Sequence, residues 1–183
     1  MDVYLRAFEP GDYKLINLWR STPGMYDLTK GNIVYISLEQ DRRWVEEKIF
    51  GDKSKEIYWS IVLLESSEMI GYISLNNIDL RNRKAEWGAL VIGNPANRKG
   101  GYAVQASILM LQYAFEEMNL HRVIGYWLDD NQPSLFLGLS VGFKREGVFR
   151  EHVFKNGGYH DVIIMSLLES EFKTVREDLM KDM

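Results

Sequence analysis

Apolar and polar residues alternate over VYLRAF, which predicts a first strand near the start of the chain. In the following PGDYKLINLWRS, Leu15, Ile16, Leu18 and Trp19 recur at helical spacing, and Pro10 and Asp12 suit a helix's first turn. Ser37 with Gln40 three residues on forms a capping-box pattern that opens a second helix, SLEQDRRWVEEKIF. The β-branched and aromatic runs IYWSIVLLE and MIGYISLNNIDL, separated by polar residues, predict a hairpin, and the turn RNRK leads into a third antiparallel strand, AEWGALVIG. Downstream, VQASILMLQYAFEEM reads as the longest helix, RVIGYWL as a strand, PSLFLGLSV as a short helix, and FKREGVF and YHDVIIMSLL as closing strands. The tail ESEFKTVREDLMKDM is predicted to be a solvated helix with little to bury. The order βααβββαβαββα gives an α/β chain with a mixed sheet flanked by helices.

Composition adds few constraints. With 183 residues, 46% hydrophobic and 26% charged, the chain is the size of one domain, read as residues 1–168 followed by a helical tail at 169–183. Twenty-two Lys and Arg against 26 Asp and Glu leave a net charge of -4, so no global positive field draws nucleic acid, and any polyanion must be held locally. The absence of cysteine removes disulfides, thiolate metal ligands and a cysteine nucleophile together, and no metal site is expected. No signal peptide and no run of membrane-spanning length is seen, so the cytoplasm is the expected location and no membrane partner is anticipated.

The loop NRKGGYA carries the most informative chemistry, because it stands where the third antiparallel strand hands over to the longest helix. A helix N-terminus has unpartnered N–H groups and partial positive charge. Gly100 and Gly101 let an anion approach that backbone, and Arg98 and Lys99 add cations beside it. Taken alone, the heptapeptide is as readily a flexible turn with two solvated cations. GKS, GKT and GxGxxG motifs are absent, which removes the usual nucleotide readings.

A second stretch, DDNQPSLFLGLSVGF, changes the balance. Arg98, Gly101 and Ala103, followed by Asn131, Ser134 and the pair Gly142-Phe143, resemble the GCN5-related N-acetyltransferase (GNAT) superfamily. The flanks LRAFEPGDYKLINLWRS and EGVFREHVFKNGGYHDVIIMSLLESE resemble its ribosomal-protein alanine N-acetyltransferase-like branch.

The resemblance implies a six- to seven-stranded mixed sheet in which AEWGALVIG and RVIGYWL splay to admit acetyl-coenzyme A. Its pyrophosphate would lie on the N–H groups of residues 98–103, Tyr102 contributing mainly its backbone and Ala103 completing the turn. Its pantetheine arm would run beside the strand ending at Ile92, with Asn131 bonded to it and Ser134 near the sulfur; Asn131 and Ser134 read equally as helix caps. The implied chemistry is direct acetyl transfer to a primary amine, either a protein N-terminus or a small amine. A tyrosine that protonates the thiolate in many relatives is replaced by Gly138, leaving Ser134 or water as the acid, or a thiolate that departs unaided, with Ser134 preferred. Glu86 is the candidate base, acting through water, with a solvated strand carboxylate as its plain alternative. His152 and His160 are further candidates, and Asp161 is expected to orient His160 or an arginine. The acceptor pocket is expected from TPGMYDLTKGNIVYI and the hairpin VFKNGGYHD, and the exposed tail leaves a homodimer open. A non-catalytic acyl-coenzyme A-binding module is the competing class, kept alive by Gly138.

Overall fold

The computed structural model describes residues 1–26, 29, 31 and 33–181, with side-chain surroundings through Arg176. Strand β1 (Val3–Ala7) leads through a 3-10 turn at Pro10–Asp12 into α1 (Tyr13–Arg20), and α2 (Leu38–Phe50) follows. Ser37 and Gln40 cap α2 reciprocally, as their spacing predicts. Then come β2 (Ile57–Leu63), β3 (Met69–Asp79), β4 (Lys84–Ile92), a second 3-10 turn at Pro95–Lys99 and α3 (Tyr102–Gln112), which runs on into a π-helical turn at Tyr113–Glu117. The chain closes with β5 (Arg122–Leu128), α4 (Gln132–Ser140), β6 (Lys144–Lys155), β7 (Gly158–Leu168) and α5 (Glu169–Lys181). Among the described residues, no helix is long and apolar enough to cross a membrane.

The seven strands form one sheet ordered β1-β2-β3-β4-β5-β7-β6. Side chains alternate between its faces. On one face Trp59, Trp87 and Trp127 join α3, α4 and α5 in the main core; on the other, Phe8, Ile16, Trp19, Val45 and Tyr72 pack under α1 and α2.

What shapes the molecule for function is the single parallel seam. Strands β4 and β5 pair only at Lys84–Arg122, Ala85–Val123 and Glu86–Ile124, and beyond those pairs they part as a fork. A β-bulge accounts for the parting: Leu75 faces Trp87 and Ile73 faces Leu90, so Ser74 alone opposes both Gly88 and Ala89. The Ser74 hydroxyl accepts the Ala89 N–H at 2.8 Å. A Cβ on Gly88 would fall 2.4 Å from that oxygen and 2.5 Å from Asn76 Nδ2, so only glycine fits the bulge. The closed end of the fork is bolted by Arg83, whose carbonyl accepts the N–H groups of His121 (2.6 Å) and Arg122 (3.2 Å). Its guanidinium donates to the backbone and side-chain oxygens of Asn119, both at 2.7 Å.

Two expectations need correction. The tail does bury something: Phe172 is 1% exposed and packs on Phe115 with ring centroids 5.2 Å apart, anchoring α5 to the main core. The strand expected over FKREGVF extends as β6 to Lys155, because a Gly147 irregularity and a wider bulge between Phe149 and Val153 let pairing with β7 resume.

Candidate active site

The fork opens into a cavity of about 630 Å³ that passes through the sheet. Gly88, Leu90 and Val91 of β4 and Tyr126, Trp127 and Leu128 of β5 form its edges, with Asn131 and Ser134 of the α4 entrance on one side. Trp19, Arg20, Trp44 and Tyr72 close the other side, toward α1 and α2. At its base the Trp87 and Trp127 rings meet edge to face, centroids 5.9 Å apart, with Phe143 against both. Trp87 and Trp127 belong to the main core and also wall the cleft.

Beyond the end of β4, outside that cavity, lies the loop singled out in the sequence. Gly101 adopts φ 70° as the residue before α3, and no side chain caps this helix end. The first helical bond runs from Gln105 N–H to the Gly101 carbonyl at 3.1 Å, so the N–H groups of Tyr102, Ala103 and Val104 precede the intrahelical ladder. A Cβ on Gly101 would meet nothing within 4 Å, whereas one on Gly100 would lie 2.5 Å from the Tyr102 ring. Glycine therefore suits the left-handed backbone at 101, and a side chain at 100 would have to displace the Tyr102 ring. Arg98 is exposed, but its Nε donates to the Ile92 carbonyl at 3.3 Å, which holds the guanidinium at the junction of β4 and α3. Lys99 is exposed in the same turn, and Ile92 is buried at the end of β4.

Asn131 accepts the Ser134 N–H on its side-chain oxygen at 3.1 Å, the capping role its position permits. Half-buried Ser134 then faces the cavity. Position 138 is packed closely: a Cβ on Gly138 would lie 2.9 Å from Met165 Cε and 3.0 Å from the Trp127 ring, so a side chain there would have to displace them. Glu86 is half-buried in the last β4–β5 pair, at the vertex of the fork. Strand alternation puts it on the face of Tyr126, two residues beyond its partner Ile124. Burial pushes the Tyr126 hydroxyl above its ordinary pKa, and the Glu86 charge pushes it further.

The histidine candidates turn elsewhere. His160 Nε2 lies 3.2 Å from the Lys155 carbonyl and its Nδ1 3.4 Å from Asp130, while the His152 ring packs on Phe149. Asp161 does not orient His160 as expected; its side chain accepts the Glu151 N–H at 2.7 Å. Asp129, Asp130 and His160 do bring ligand atoms within 4.8 Å of one another, but both carboxylates are exposed and we assign no metal to the group.

Sequence reading missed the wall opposite α4. Arg20 pairs with buried Asp41 at 2.5 Å and lies 4.0 Å above the Trp44 ring and 5.9 Å from the Tyr72 ring. Asn17 supports Asp41 from its other oxygen at 2.8 Å. These partners come from distant segments, and only Tyr126 left a signal, since alternation along RVIGYWL sets it opposite Trp127.

Residues 2–144 match the family described as acetyltransferase (GNAT) domain. Among relatives, the chain is 31% identical over 168 residues to a spermidine N(1)-acetyltransferase of Vibrio cholerae, covering 92% of this chain and 94% of that one. It is 35% identical over 111 residues to the putative ribosomal N-acetyltransferase YdaF of Bacillus subtilis, covering 61% and 60% respectively. Matches to several curated Bacillus relatives likewise span only 60 to 65% of those proteins. The crystal structure of Vibrio cholerae spermidine N-acetyltransferase, in complex with CoA and spermine, superposes with a TM-score of 0.84 at 26% identity, over 94% of this chain and 98% of that one. With its forked mixed sheet and a family match over most of its length, the chain belongs to the GNAT acetyltransferase family, whose acetyl donor is acetyl-coenzyme A.

Proposed function

We propose that the chain is an acetyl-coenzyme A-dependent N-acetyltransferase that passes the acetyl group directly to one primary amine. The observation that carries this reading is the alignment of an uncapped helix end with the fork. Amides at the start of α3 and Arg98 hold the donor's pyrophosphate. The β4 edge beyond Glu86, which has no β5 partner, offers main-chain groups to the pantetheine arm. Asn131 borders that arm, and Ser134 supplies the proton to the departing thiolate, since Gly138 carries no hydroxyl in place of the usual tyrosine. Glu86, at the vertex, withdraws the proton from the attacking amine through water, with Tyr126 beside it.

For the acceptor we favour a protein N-terminus over a polyamine. Among the described residues, the cavity lining is mostly aromatic and aliphatic, with Thr29, Asn131, Ser134 and one arginine and no carboxylate, Glu86 standing at the vertex rather than in the lining, whereas a polycation needs several counter-charges. Likeness to a putative ribosomal N-acetyltransferase agrees with this choice. The test is thiol release from acetyl-coenzyme A over a panel of alanine- and serine-initiated peptides, spermidine and small monoamines. Peptides should give the highest kcat/KM. Fastest turnover of spermidine overturns the acceptor assignment, and tight coenzyme A binding with no amine-dependent release favours a non-catalytic acyl-coenzyme A-binding module.

A further inference from the structure

Lys155 ends β6, yet its side chain is almost wholly buried: the residue is 3% exposed. Its ammonium reaches across to the segment between α1 and α2 and donates to the backbone carbonyls of Tyr26 and of Thr29, the latter at 2.5 Å. Both residues line the cavity at the fork. Burying an ammonium is costly unless oxygens replace its water, and these carbonyls do so. They are main-chain groups, so the bonds fix the backbone at Tyr26 and at Thr29 rather than one rotamer.

The platform carrying the ammonium is itself stiff. Lys155 and Gly158 are the last pair of the β6–β7 hairpin, closed by Asn156 (φ 51°) and Gly157 (φ 81°), the two positive-φ residues of a tight two-residue turn. His160 Nε2 lies 3.2 Å from the Lys155 carbonyl, adding a second tie across the same hairpin.

We propose that Lys155 is a positioning residue for the acceptor: it fastens the segment carrying Tyr26 and Thr29 to the β6–β7 hairpin and so sets the shape of the amine-side wall. This rests on the reading that the α1–α2 side of the fork receives the amine. The donor side, at the start of α3, shares none of these bonds. Loss of the ammonium should therefore separate the two substrates.

The test compares Lys155→Met, Lys155→Gln and Lys155→Arg with the unaltered full-length chain. Hydrogen exchange in residues 20–36 should accelerate about tenfold or more in Lys155→Met, with α3 and the β2–β4 strands unchanged. Coenzyme A affinity should stay within about twofold, while KM for the best alanine-initiated peptide rises about tenfold and kcat moves far less. Lys155→Arg, which keeps a cation, should recover part of both effects. If Lys155→Met does not fold, Lys155→Gln carries the same comparison. Unchanged exchange in residues 20–36, faster exchange spread evenly over the sheet, or an equal loss of coenzyme A affinity overturns the proposal. A chain that turns over no amine at all refutes the acceptor reading, and the exchange result still decides whether Lys155 fastens the segment.

Discussion

Two glycines at the fork illustrate how differently one residue type is constrained. Gly88 is held by space, since Ser74 and Asn76 occupy the position of its missing Cβ, and Gly101 is held by its backbone alone. Gly101→Asn, which tolerates the left-handed region, should preserve the fold while placing a side chain at the anion site, and calorimetry should show weaker coenzyme A binding. Gly101→Val should in addition destabilise the protein by about 1 to 2 kcal/mol from backbone strain. Removing the Arg98 guanidinium as Arg98→Ala should cost about 1 to 2 kcal/mol of coenzyme A affinity, a loss that shrinks as salt is raised. Glu86→Gln should lower kcat about a hundredfold with donor affinity intact. A titration of stability reports on another carboxylate, Asp12. Burial pushes its pKa up, but hydrogen bonds from Arg6, the Glu9 N–H and Ser60 outweigh that and hold it below the ordinary value. The folded pKa lies under the unfolded one, so the stabilisation is present above about pH 4 and is lost on acidification. Asp12→Asn should flatten that acid-side slope of melting temperature. Helix-end chemistry is local, so the start of α3 beside Gly101 and the Asn131 cap were legible in the sequence; Arg20 and Asp41 meet from separate helices, and nothing in either segment announced the other.

At the scale of elements, type and order were readable because periodicity is strong, and seven strands follow in the expected order, with β6 alone running well past its expected end. Bulges were not readable, because they depend on how a strand pairs; nothing in AEWGALVIG alone fixes that Gly88 and Ala89 share one partner. The tail was misjudged for a related reason: a single phenylalanine among charges looks solvated until Phe115 is brought opposite it. Phe172→Ala should cost about 3 to 5 kcal/mol of folding stability, and ending the chain before Glu169 should be at least as damaging, both measurable by denaturant unfolding.

For the whole molecule, the cavity reaches both faces of the sheet, with Asn131 and Ser134 at the α4 entrance on one and the Arg20–Trp44–Tyr72 wall on the other, and the uncapped start of α3 lies beyond the end of β4. On the proposed reading, donor and amine approach separately, so both bind at once and no acetylated protein is required between them. Initial rates should give intersecting double-reciprocal lines; parallel lines with a covalent acetyl-protein would contradict direct transfer. The same geometry bears on cohesion. Three rungs of pairing fasten two panels of sheet, one holding β1 to β4 and the other β5 to β7, so the seam is the mechanical weak line of the protein. A molecule lodged across the opening works as a splint: coenzyme A by itself, with no acetyl group and no amine, should raise the melting temperature and slow exchange along both strands bordering the breach.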